Sequence, residues 1–272
     1  MTICIEVAVK AEATPLIEAL HLNPLSGTHL FPIYENEGIK LIVSGVGKIK
    51  AGAACSYLAG IHRDEDIYGW LNVGVGGHRS LKIGTPLLVN KIVDDARKAQ
   101  YFPSLFFDPP CRIEECITLE NPDHGYPTNQ VYDMEAAGFY AIASKISPIE
   151  MIHVFKVISD NQSHPAKEVT KKEVHSLIYN HVDLIRTVIT EMHTMIDEIA
   201  PEETPFLDEF IKRWHFTTLE TLELRKLLQR WQLLCADQIL LSQDLLEKPS
   251  ASEVLTFLKK HIEATPLIVN SR

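Results

Sequence analysis

The spacing of apolar and polar positions changes several times along the chain, and the changes divide it into elements. Ile3–Val9 is an apolar run interrupted by one acid, Glu6, and predicts a first buried strand. A helix is expected to start over Thr14–Leu20, with Thr14 or Ala13 near its cap. Leu30–Glu35 and Ile39–Val43 flank a Glu-Asn-Glu-Gly turn and predict a hairpin. Small residues over about Ile49–Ile61 predict a closely packed helix, and an apolar strand around Tyr68–Asn72 runs into a glycine-rich turn, Val73–His78. Further strands are expected at Thr85–Val93, Arg112–Leu119 and Met151–Ile158, the last ending at Ser159-Asp160, with a helix over Met134–Ile146. Val174, Leu177, Ile178, Ile185, Val188, Met192 and Met195 recur at helical steps and predict one long helix over Lys167–Ile199.

Strands alternating with helices define an α/β chain with a central sheet covered on its faces. Pro201-Glu-Glu-Thr-Pro205 has the composition of a linker. Beyond it Phe206–Trp214, Thr217–Leu234, Ala236–Leu246 and Ala251–Ile262 have helical patterns. Thr217-Thr-Leu-Glu is a capping box, and Ser250 or Ser252 opens the last helix. Trp214, Phe216, Leu219, Leu222, Leu227, Leu228, Trp231 and Leu234 are most simply its packing positions. The expected organisation is an α/β domain over 1–200 and an all-helical appendage over 205–272. Glycine follows the same division: all 13 lie at or before Gly138.

Composition narrows the function. Hydrophobic residues make up 46% of the 272 positions and charged residues 23%, enough for a sizeable core. The net charge is −10, with 17 basic against 25 acidic residues up to position 200 and 9 against 11 beyond it. No basic stripe offers a surface for nucleic acid or an anionic membrane, and no apolar run approaches a membrane span. The first ten residues lack a signal-peptide pattern. Five scattered cysteines, Cys111 and Cys116 included, lack metal-ligand spacing and are expected to be reduced thiols. A cytoplasmic protein with no metal and no cofactor is the expectation.

In a twisted α/β sheet, ligands bind beyond the carboxyl ends of the strands. Glu12 follows the first predicted strand, Gly45–Lys48 the hairpin, Gly74–His78 the central strand and Asp160 the last, while Glu135 opens a helix. Three carboxylates and two glycine-rich turns are thereby expected to converge on one crevice. Blander readings stand beside this one. Glu12 suits a first helical turn, Asp160 a turn or cap, the glycines plain turns, and His78 a loop. His153 and His175 have structural positions in a strand and a helix.

Four segments in order carry a resemblance: Val43-Ser-Gly-Val-Gly-Lys-Ile-Lys-Ala51; Leu71-Asn-Val-Gly-Val-Gly-Gly77 with Ile83-Gly-Thr; Tyr132-Asp-Met-Glu-Ala-Ala137; and Lys156-Val-Ile-Ser-Asp160. Over about residues 1–195 the chain resembles the nucleoside phosphorylase and nucleosidase superfamily, of the purine nucleoside and uridine phosphorylase type. Within it the chain is most similar to the 5′-methylthioadenosine/S-adenosylhomocysteine nucleosidase branch. The resemblance implies a three-layer phosphorylase-like fold, a twisted mixed sheet between helices, to which the C-terminal helices are added. It also implies a purine nucleosidase-like hydrolase that cleaves an N-glycosidic bond through an oxocarbenium-like state. Met134 and Glu135 would then bind the ribose, Glu135 accepting from its hydroxyls, and Asp160 of the Ser159-Asp160 pair would donate to purine N7 and protonate the leaving base. Glu12 would orient and deprotonate water, and Gly74, Val75, Gly76, Gly77, His78 and Ser159 would complete the substrate-binding wall. The implied partners are a small purine nucleoside and further copies of the chain, a dimer favoured.

The chain also departs from the family pattern. No Arg stands in the loop after the first strand or in the central turn, and Val75 replaces a hydroxyl residue, which favours water over phosphate as the nucleophile. Lys10, Lys48, His78 and Arg79 leave open an anion site and hence a phosphorylase. A catalytically inactive nucleoside-binding scaffold working through the helical tail is a third reading. Lys156 stands where relatives commonly have Arg. The segment before Met134 is short, and offers Phe102, Phe106 or Tyr126 as an aromatic to cover the base.

Overall fold

The computed structural model describes residues 2–36, 38–62, 67–122, 125–199, 206–234 and 240–265. The chain divides into two compact units, Met1–Glu198 and Ile199–Arg272. In the first, β1 (Thr2–Val7), α1 (Lys10–Ala19), β2 (Asn23–Pro24), β3 (Ile33–Asn36), β4 (Ile39–Val43), α2 (Lys48–Ile61) and β5 (Ile67–His78) come first. They are followed by β6 (Pro86–Asp94), β7 (Gln100–Tyr101), β8 (Arg112–Thr118), β9 (Val131–Asp133), α3 (Ala136–Ala143), β10 (Ile152–Asp160), α4 (Lys171–Tyr179) and α5 (Val182–Ile199).

The strands form one mixed sheet in the order β10-β6-β8-β9-β5-β1-β4-β3-β2, with β7 on β6. β5 also pairs with β10, so β5, β10, β6, β8 and β9 close on themselves. β4, β1, β5 and β10 run parallel to one another, which brings their carboxyl ends to one edge. β1 and β10 are buried along their whole length, which is why their sequences read as continuous apolar runs.

Three elements differ from the sequence expectation. Val73–His78 is no turn: β5 runs straight through it, with Gly74, Gly76 and Gly77 paired to Lys156, Ile158 and Asp160 of β10. These glycines lie outside the left-handed region; they are there because their neighbours come close. A Cβ at Gly74 would lie 3.0 Å from Glu12 Oε1, and one at Gly77 would lie 2.4 Å from Asp160 Oδ2. The long helix predicted over Lys167–Ile199 is divided between α4 and α5. Thr170 and Glu173 cap α4 reciprocally (Thr170 N to Glu173 Oε2, 2.7 Å), and the ring of His181, between the helices, bonds the Gly84 carbonyl at 2.8 Å. The apolar steps carry across this break, so periodicity does not register it. α1 begins at Lys10, ahead of the predicted Thr14 or Ala13 cap, because the Glu12 carboxylate accepts the N–H groups of Ala8 and Val9 and closes the helix start itself.

α2 and α3 touch through backbone. A Cβ at Gly138 would come within 1.9 Å of the Lys48 carbonyl oxygen, so only glycine fits at this crossing.

The second unit holds α6 (Leu207–Arg213), α7 (Thr218–Leu234), α8 (Gln243–Leu246) and α9 (Ala251–Ala264). Phe210, Trp214, Leu224, Leu227, Leu228, Trp231, Leu255 and Leu258 are part of its own core, with Phe216 and Leu234 packed against it. Thr217 and Glu220 form the expected capping box, and Ser250 caps α9. The linker at 201–205, residues 236–239 of the helix expected over Ala236–Leu246, and the side chains of Leu219 and Leu222 lie outside the described residues. Among the described residues no helix is long and apolar enough to cross a membrane.

Candidate active site

At the carboxyl edge of the sheet, a cavity of about 340 Å³ is lined by Glu12, Glu135 and Asp160 together. Met134, Val75, Gly76, Gly77 and Ser159 share its wall. Gly74 and His78 do not line it. Gly74 leaves room for Glu12 and Lys156 beneath the wall. His78 is buried, and its Nδ1 accepts the N–H groups of Ser80 and Leu81 at 3.0 Å each.

Each carboxylate is held by a different element. Glu12 rises from the first turn of α1: Oε2 accepts from Ala8 and Val9, and Oε1 accepts from the Val75 N–H at 3.0 Å. Burial pushes its carboxyl up, while Lys156 and the three N–H groups pull it back. Glu135 stands at the start of α3, and its Oε1 accepts from the Gly47 N–H at 2.8 Å. Gly47, at φ +110, offers that N–H from a conformation glycine adopts readily. Burial lifts the Glu135 carboxyl to about 8, with Lys156 opposing and Asp133 and Glu6 adding to the rise. Asp160 closes β10. Its Oδ1 accepts from the Ser159 hydroxyl at 2.6 Å and its Oδ2 from the Tyr126 hydroxyl.

Beneath the cavity lies a pair that the sequence reading did not assign to the site. Lys156 Nζ is 2.8 Å from Asp133 Oδ2, both side chains fully buried. Asp133 also accepts from the Thr118 hydroxyl (2.6 Å) and the Ala136 N–H (2.8 Å), so it caps α3 and sets the position of Glu135. Burial alone would raise Asp133, but the Lys156 ammonium holds it below the usual carboxylate range; burial would lower Lys156, but Asp133 and Glu135 hold it above its usual value. Glu6, deeper in β1, accepts from Ser44 and Asn72 and is pushed by burial to about 7. One ammonium thus serves a group of buried acids. The signals were present: an acid inside an apolar strand at Glu6, a lysine inside another at Lys156, and an acid just ahead of a helix at Asp133.

The anion site suggested by Lys10, Lys48, His78 and Arg79 does not form, and none of the four lines this cavity. Lys48 is taken up by Asp94 and Glu120, both at 2.6 Å, and Arg79 reaches the Pro127 carbonyl. Of the candidate aromatics, Phe102 and Phe106 are 60% and 64% exposed and lie outside the cavity wall, while Tyr126 is buried and lines it. Among the described residues no group of three or more His, Cys, Asp or Glu could hold a metal ion.

The fold is similar to that of several solved nucleosidase structures. Similar solved structures include a 5′-methylthioadenosine nucleosidase from Arabidopsis thaliana, 18% identical, with a TM-score of 0.60 over 70% of this chain and 95% of that one. A mutant MTAN of Helicobacter pylori with 5′-methylthioadenosine in the active site is 16% identical, with a TM-score of 0.56 over 70% and 98%. Futalosine hydrolase of Helicobacter pylori is likewise 16% identical, with a TM-score of 0.53 over 70% and 98%. No protein-family model matches the chain, and no curated protein matches it.

Proposed function

We propose that the first unit is a nucleosidase that uses water to cleave the N-glycosidic bond of a purine nucleoside. The observation that carries this reading is the meeting of Glu12, Glu135 and Asp160, far apart in sequence, around one cavity of nucleoside size. The solved structures it resembles include a mutant MTAN with 5′-methylthioadenosine in its active site. In the proposed reaction Glu135, ionised, accepts both ribose hydroxyls and stabilises the sugar as it becomes cationic. Glu12 takes a proton from water as its oxygen bonds to the anomeric carbon. The electron pair of the breaking C–N bond leaves with the base, and a protonated Asp160 supplies the proton to purine N7. In the free site the Tyr126 hydroxyl sits on Asp160 Oδ2, the place N7 takes when the base enters.

Water is favoured over phosphate because none of the described residues lining the cavity is Lys or Arg, and a phosphate nucleophile needs cationic partners. The test is release of free base from a panel of purine nucleosides with and without phosphate. We expect free ribose and base in phosphate-free buffer; release that requires phosphate and yields ribose 1-phosphate overturns the hydrolytic reading. The pH profile is a second test. Glu135 must lose its proton to accept two hydroxyls, and its carboxyl sits at about 8. On that basis the affinity for a ribose-bearing nucleoside analogue should climb by up to about tenfold per pH unit toward that point, whereas kcat/KM rises less because the reaction also needs a protonated acid. A flat affinity profile between pH 6 and 8 contradicts Glu135 as the ionised anchor.

A further inference from the structure

Beside the nucleoside cavity lies a wider one of about 1160 Å³, and the two share Ala8, Val9 and Val169 in their walls. Four lysines line the wider cavity, Lys10, Lys50, Lys171 and Lys172, and none of the described residues lining it is an acid. That concentration runs against a chain whose net charge is −10. None of the four is ion-paired with another described residue. Glu173, the acid next to Lys172, has its carboxylate on the Thr170 N–H and hydroxyl. The lysines also sit where local energetics disfavour them: Lys10 opens α1, and Lys171 and Lys172 open α4, at the ends where a helix prefers anions. Lys50 lies back over Gly45, its Cδ 2.9 Å and its Nζ 3.7 Å from where a Cβ would stand, and Gly45 is at φ +87.

The position of this cavity gives the charge a meaning, on the nucleosidase reading above. With the base at Asp160 and the ribose hydroxyls at Glu135, the remaining wall of the first cavity includes Val46, Leu119, Pro122 and Ala166 as well as Ala8, Val9 and Val169. Only the last three are common to both cavities, so a 5′ extension that leaves the first cavity for the wider one passes this shared wall. We propose that the substrate is a purine nucleoside with an anionic group on its 5′ side, which passes that wall and is held by the lysines. The apolar stretch, Val43, Phe31 and the exposed Leu30, suits a linker or ring between sugar and anion. Phosphate ester and carboxylate share the required chemistry.

The test compares base release from adenosine, adenosine 5′-monophosphate and adenosine 5′-carboxylic acid by the full chain. It is repeated for the variant carrying K10Q, K50Q, K171Q and K172Q. At low ionic strength we expect at least one of the acids to exceed adenosine in kcat/KM by about tenfold or more, a ratio that falls toward one in high salt and in the variant. The acid that wins identifies the source of the anion. Equal use of adenosine and both acids overturns the proposal, as does a preference that the lysine substitutions leave intact. If no nucleoside loses its base, the nucleosidase reading fails, and calorimetric binding decides the anion pocket separately. Tighter binding of either acid than of adenosine, lost in the variant, supports it, and equal binding overturns it.

Discussion

Glu12→Gln is expected to lower kcat for base release by about 10²–10⁴-fold, the range spanned by a positioned general base, with KM little changed. The substitution keeps the volume of the side chain and removes only its capacity to take a proton. Glutamine cannot satisfy the surrounding donors in either orientation. Oε2 accepts two N–H groups, from Ala8 and Val9, and Oε1 accepts one, from Val75, so the amide NH₂ faces at least one N–H whichever way it turns. That mismatch costs about 1–3 kcal/mol of stability, so the variant should unfold earlier in denaturant yet remain folded at room temperature. A folded Glu12→Gln protein with wild-type kcat contradicts the assignment of Glu12 as the base.

The second large effect is expected at Lys156. Lys156→Met removes the one ammonium among Asp133, Glu135, Glu12 and Glu6 and leaves Asp133 buried without its counter-charge. Breaking a buried pair from one side costs about 3–5 kcal/mol, a large part of the stability of an ordinary domain. Removing Asp133 as well, in Lys156→Met/Asp133→Leu, should recover part of the loss, because the uncompensated anion goes with it. Lys156 also pulls the Glu12 and Glu135 carboxyls down. In whatever fraction of the single variant folds, the rising limb of the pH profile should therefore move to higher pH. A midpoint in urea shifted by less than the equivalent of about 1 kcal/mol shows that the pair is not the electrostatic support proposed here.

Much of the architecture was legible in the alternation of strands and helices, because a parallel sheet buried on both faces forces apolar runs such as those of β1 and β10. What was illegible has local causes. Glycines at 74, 76 and 77 carry a turn signal, and nothing in their neighbours along the chain tells that they are thinned strand positions making room for Glu12, for Val131 and Tyr132, and for Asp160 respectively. The break between α4 and α5 is fixed by the ring of His181 on the Gly84 carbonyl, a contact between residues 97 apart in sequence. For the site, strand-end logic brought forward Glu12, Glu135 and Asp160, which line one cavity, but it passed over Lys156 and Asp133. A buried ion pair is written as two isolated charges in different elements, and only the pairing of β5 with both β9 and β10 joins them. Tyr126 stood out from Phe102 and Phe106 only once burial was known.

The most direct test of a shared nucleoside site is a crystal structure of the wild-type chain with a hydrolysis-resistant purine nucleoside analogue. We expect the ribose hydroxyls within hydrogen-bonding distance of the Glu135 carboxylate, the purine N7 at Asp160 in place of the Tyr126 hydroxyl, and a water on Glu12 facing the anomeric carbon. An analogue bound elsewhere on the protein, or an unchanged Tyr126–Asp160 hydrogen bond at saturating analogue, contradicts it.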